Sequence, residues 1–145
     1  MDSIVSQDDS VTDKIDKILN RDALSNVYGG DVIRRRDLVE IYVISGGQTC
    51  IKAALAPLGR RDDYRFSVVR RTWATLKRDV ATVAANHRHG LSGDNWRLVV
   101  WYPDPTTNRV VFEIKGNLAQ ASARLHSEYP SIPMTLKHGS QVVPD

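Results

Sequence analysis

The spacing of apolar positions divides the chain into short amphipathic segments. Val11, Ile15, Ile18 and Leu19 share one face at helical period and predict a helix capped by Ser10 or Thr12. Gly29 and Gly30 read as a turn. Leu38–Ile44 is rich in β-branched residues, with Val39, Ile41 and Val43 on one side and a second face interrupted by Glu40, so it predicts a strand at least partly buried on both faces. A turn at 45–49 leads into a helical segment, 50–58, with Ile51, Ala54, Leu55 and Leu58, ended by Pro57 and Gly59. A strand at 64–69 follows, and then Trp73, Leu76, Val80 and Val83 mark a helix over 72–87 capped by Thr72. Strands at 96–102 and 109–115 flank the turn-forming run Pro103 to Asn108 and predict a β-hairpin. Asn117 caps a last helix, 117–129, with Leu118, Ala121, Leu125 and Tyr129 inside, and a short strand at 133–137 closes the series.

Read in order, residues 64–138 run β-α-β-β-α-β. This is the split βαβ pattern of a ferredoxin-like α+β fold, here preceded by an extra helix, strand and helix. The expectation is a mobile acidic arm over 1–9 and a single domain over 10–145, its sheet buried on one face by helices 72–87 and 117–129. A strand-helix-strand run occurs at 38–69 and again at 109–137, which hints at internal repetition. Strand alternation turns Leu98, Val100, Val110, Phe112 and Ile114 toward the helices, and Arg97, Val99, Trp101, Val111 and Glu113 the other way. Tyr42, Arg65 and Lys137 join that second face where the register allows. An aromatic set in a basic surround suits partner binding or base stacking; the alternative is that helix 12–20 or segment 50–58 folds over the face as a second core layer.

The stretch from Trp101 to Val111 contains an aspartate, a turn, Thr107-Asn108, a basic residue and valines. It resembles the propeptide domains of bacterial trypsin-like proteases of the streptogrisin and alpha-lytic type. The resemblance covers the C-terminal part of the chain and implies a chaperone or inhibitor that contacts its protease through a sheet surface. With no signal-peptide pattern and no protease domain beside it, only the architecture and a sheet-mediated protein contact carry over.

Charge and chemistry narrow the reading further. The 145 residues, 41% of them apolar, suffice for one core, and no run reaches the length of a membrane helix; a cytoplasmic protein is expected. The net charge of +3 conceals an asymmetry: residues 1–16 hold five aspartates against Lys14, which leaves nineteen basic and twelve acidic residues over 17–145. Arg34, Arg35 and Arg36 lie between Asp31 and Asp37, and Arg60 and Arg61 abut Asp62 and Asp63, so both clusters read as solvated loops with local ion pairs. Cys50 precludes an internal disulfide and reads as a small buried cysteine, without a phosphatase-loop arginine or a Walker motif. His87 continues the helix stripe and reads as packed under its end; His89, His126 and His138 show no catalytic or metal-binding spacing. The three glutamates and the turn aspartates predict neither a carboxylate pair nor a two-metal site.

No enzyme, cofactor or metal is therefore expected. The expectation is a protein-interaction module, of inhibitor, immunity or chaperone type, binding through its sheet face or edge with Trp101, Arg97, Tyr42, Val99, Arg65 and Lys137. Nucleic-acid binding by the basic body is the alternative, though the chain lacks an RRM signature. Exposed edges would also permit a homodimer.

Overall fold

The structure, a computed structural model, describes residues 13–35, 38–59 and 63–139. The arm 1–9, the expected caps Ser10 and Thr12, Arg36, Asp37 and Arg60 to Asp62 lie outside these residues. Among the described residues the chain is α+β, with four α-helices and two sheets, and it divides into two compact units between Ala74 and Thr75.

The first unit begins with α1 (13–19) and a 3-10 turn at Asp22–Leu24. Then come β1 (Tyr28–Arg35), β2 (Leu38–Ile44), α2 (Gln48–Leu55), a 3-10 turn at Ala56–Leu58 and β3 (Asp63–Val69). The strand order is β1-β2-β3, antiparallel between β1 and β2 and parallel between β2 and β3. Alternation along β2 decides the packing: Val39, Ile41 and Val43 meet Ile15, Ile18 and Leu19 of α1 and Ile51 and Leu55 of α2 in one buried cluster. Leu38 and Tyr42, on the other face of β2, are buried as well, so this strand is buried on both faces, as its pattern predicts. Pro57 lies in the 3-10 turn and Gly59 takes φ 63°, the left-handed conformation that ends the helical path.

Strand β1 is the element that the apolar pattern does not predict. Gly29 and Gly30 lie inside it rather than in a turn, and Gly30 has φ 111° where the β1–β2 register shifts. Arg34 and Arg35, expected in a solvated loop, complete the same strand.

The second unit contains most of α3 (Trp73–Asn86), then β4 (Ser92–Gly93), β5 (Trp96–Asp104), β6 (Arg109–Gly116), α4 (Leu118–Glu128) and β7 (Met134–His138). Its strand order is β4-β5-β6-β7, with β5 and β6 forming the predicted hairpin and β7 parallel to β6. The hairpin turn is held by Asp104, which accepts from the Thr106 backbone N–H and the Thr107 hydroxyl at 3.0 Å each. Asn117 caps α4 as predicted, its side-chain oxygen accepting from the Gln120 backbone N–H at 3.0 Å. Val110, Phe112 and Ile114 are fully buried on the helix-bearing face, and Ala121 and Leu125 of α4 are also fully buried.

The strand order departs from a ferredoxin-like sheet. That arrangement requires 64–69 to share a sheet with the three later strands, whereas β3 pairs with β2 over seven consecutive residues. In the first unit β2 is the middle strand, antiparallel to β1 and parallel to β3, which the α2 crossover returns alongside it. Apart from the two-residue β4, each unit therefore runs helix, two antiparallel strands, helix, parallel strand, which extends the repetition hinted at in the sequence.

Candidate functional site

The residues expected to form one face are distributed over two sheets. Tyr42 and Arg65 belong to the first, while Arg97, Val99, Trp101 and Lys137 belong to the second.

In the first unit, the sheet face opposite the helices carries a hydrogen-bonded carboxylate. Glu40 Oε1 accepts from Arg34 Nε at 2.9 Å, from Arg34 Nη2 at 2.6 Å and from the Tyr42 hydroxyl at 2.8 Å. Glu40 Oε2 accepts more weakly from Ser67 Oγ at 3.4 Å. The Tyr42 hydroxyl and then the Arg34 guanidinium hold the Glu40 carboxyl below the usual carboxylate range, because both favour its charged form. Tyr42, at 4% exposure, is thus a buried member of this network. On the helix-bearing face, Asp31 accepts a hydrogen bond from the Tyr28 hydroxyl. Burial pushes the Asp31 carboxyl upward, and the same burial, with Asp31 alongside, raises the Tyr28 hydroxyl.

The second unit has a related arrangement. Glu113 Oε2 accepts from the Tyr102 hydroxyl at 2.9 Å and lies 3.9 Å from Lys137 Nζ. The Tyr102 hydroxyl, aided by Glu113, raises the Lys137 ammonium above its ordinary range. In both sheets the glutamate is mid-strand and faces a basic residue across the parallel pair, Arg65 from Glu40 and Lys137 from Glu113.

Trp101 differs from expectation in the face it takes. A register shift between Leu98 and Val100 inverts the alternation, so Trp101 lies opposite Phe112 and Val100 lies opposite Glu113. The Trp101 indole donates to the Val80 carbonyl of α3 at 3.2 Å, on the helix-bearing side. Val100, expected inside, is 39% exposed. Val99 is half-buried, while Arg97 is exposed directly across from exposed Lys115.

Cys50 is exposed rather than buried, because the inward positions of α2 are Ile51 and Leu55. His87 is largely buried, as expected, with its Nε2 3.0 Å from Glu128 Oε1 and its ring edge-on to Tyr129. His126 Nδ1 lies 2.8 Å from the Ser122 carbonyl and 3.1 Å from its hydroxyl. Among the described residues no group of three histidines, cysteines or acids is placed to hold a metal, and no helix is long and apolar enough to cross a membrane.

Two surfaces bear on binding among the described residues. One is a groove of about 560 Å³ between α4 and β7, lined by Leu118, Ala119, Ser122, His126, Met134 and Leu136. Matching the buried pairs Ile51/Leu55 and Ala121/Leu125 aligns Ser122 with Lys52, whose ammonium lies 5.6 Å from the Phe66 ring centre in the first unit. The other is β3, which pairs only with β2 among the described residues and carries Val68 at 68% exposure. Alternation puts Val68 on the same side as Tyr64 and Phe66, which pack against the core cluster, and gives no signal of its exposure. Compared with known proteins, the chain matches no family model, no curated protein and no solved structure.

Proposed function

We propose that the chain is a protein-interaction module that takes up an extended segment of a partner along the edge of β3 that no other described strand pairs. The observation that carries this reading is the combination of an unbroken seven-residue register on one side of β3 with a bare Val68. An edge strand presents unpaired backbone donors and acceptors, and an added strand satisfies them while alternate side chains provide selectivity. The other edges are less suited: β1 is interrupted by two register shifts and β4 has two residues.

The test is selection of extended peptides from a display library by the full chain, followed by amide hydrogen exchange. Selected peptides should slow exchange in β3, and Val68→Lys should weaken them. Protection confined to β5–β7 or α4 would overturn the reading.

Nucleic-acid binding has one observation in its favour. Arg97 and Lys115 are exposed and directly opposed, a repulsive pair that an anion would relieve. Oligonucleotide affinity that falls steeply with salt and is lost in Arg97→Gln/Lys115→Gln would support this second reading.

A further inference from the structure

Resting on the strand-addition reading, we propose that the segment taken up by β3 is acidic, with apolar residues alternating between its acids. Residues 63–71 contain three arginines against one acid, Asp63. Arg65 and Arg70 are exposed, and among the described residues neither has an ion-pair partner. Glu40, which faces Arg65 across the β2–β3 pair, is engaged elsewhere: Arg34 and Tyr42 occupy Oε1, and Ser67 approaches Oε2. Arg65 therefore retains a charge that a neighbouring strand can answer.

The alternation fixes the partner's pattern. Tyr64, Phe66 and Val68 lie on the helix-bearing side, and Arg65 and Ser67 on the other. A strand of alternating valine and glutamate, in register, sets valines against the first series and a glutamate against Arg65. Its lysine counterpart would oppose like charges directly, which is unfavourable across a strand pair. Charge complementarity thus favours an acidic segment over a basic one and over a neutral segment of equal β propensity.

The experiment uses the full chain and four labelled peptides: alternating glutamate-valine, alternating lysine-valine, and the glutamate-valine peptide N-methylated at either its valine or its glutamate nitrogens. Binding is read by fluorescence anisotropy at two salt concentrations. The glutamate-valine peptide should bind, weaken with salt and exceed the lysine-valine peptide; one methylated form should lose binding. Arg65→Gln should lower affinity by about threefold, as expected for an exposed charge pair. Gln is used at Arg65 because a glutamate there would face Glu40. Equal binding of acidic and basic peptides, with one methylated form still impaired, overturns the acidic preference and leaves strand addition standing. Undiminished binding of both methylated forms overturns strand addition itself. Stronger binding of an oligothymidylate that competes at Arg65 also overturns the proposal.

Discussion

Trp101 provides the sharpest test of the second unit's packing. The register shift in β5 sets it opposite Phe112, with its indole donating to Val80 of α3. Trp101→Phe removes that donor and roughly 40 Å² of apolar contact while leaving a ring in place. At about 25 cal/mol per Å², the lost area costs about 1 kcal/mol. The hydrogen bond adds about 0.5 kcal/mol, the low end of the usual range, because a carbonyl within a helix also accepts from the N–H four residues on. The expected loss is about 1.5 kcal/mol for Trp101→Phe, and about 3 kcal/mol for Trp101→Ala, the low end for such truncations because Trp101 is only half-buried.

Urea unfolding followed by far-UV circular dichroism measures both losses, and amide exchange shows whether α3 loosens first. Binding of the selected peptides is measured on the same variants and should be unchanged in Trp101→Phe. Two outcomes refute the reasoning. One is both variants lying within about 0.3 kcal/mol of the parent, inside the range of surface substitutions. The other is weakened peptide binding at unchanged stability, which would make Trp101 an outward anchor.

Further predictions concern the two carboxylates of the first unit, the groove and the thiol. The Asp31 carboxyl is raised by burial, so its favourable contribution belongs to acidic pH and is lost as pH rises through its folded-state pKa; Asp31→Asn should therefore stabilise at pH 7, by roughly 1 kcal/mol, with the gain vanishing in acid. The Glu40 carboxyl is lowered by Tyr42 and Arg34, so its contribution is present above its ordinary pKa and lost as pH falls; Glu40→Gln should cost about 1 kcal/mol at pH 7 and nothing in acid. Parallel pH profiles for these two variants would refute the assignment of opposite signs. Ser122→Leu should fill part of the groove between α4 and β7 and stabilise by about 1 kcal/mol, measured by urea unfolding; a loss would show that the groove cannot accept the side chain. Exposed Cys50 should react fully with a thiol reagent in the native state, and protection until urea is added would contradict its outward position.

Much of the architecture was legible because it rests on period alone. Helices α3 and α4, the β5–β6 hairpin and strand β2 follow from apolar spacing and turn chemistry. What was not legible has two physical sources. A pair of glycines signals a turn and a strand bulge equally well, so β1 was lost, and with it the antiparallel neighbour of β2 in the first sheet. A single inserted residue then inverts every later side chain on a strand, which moved Trp101 to the helix side without any trace in composition. Arg65 was legible as a basic surface residue, but its relation to Glu40 depends on the β2–β3 register, which has no local sequence signal.

Among the described residues the two sheets have four edges, and most of them must be protected. β1 is broken by bulges, β4 is two residues long, and β7 has only five residues and bears exposed Lys137. An arginine on β3 would by itself fit the same protective scheme, since a charge on an edge discourages strands of any kind. Val68, on an unbulged strand, separates β3 from β1, whose exposed Ile33 lies at a register shift. A guarded edge gains nothing from a bare valine three residues beyond its guarding charge, because that valine offers an incoming strand the apolar surface that protection removes. Recognition needs both: Val68 to favour an extended strand, and Arg65 to reject all but an acidic one.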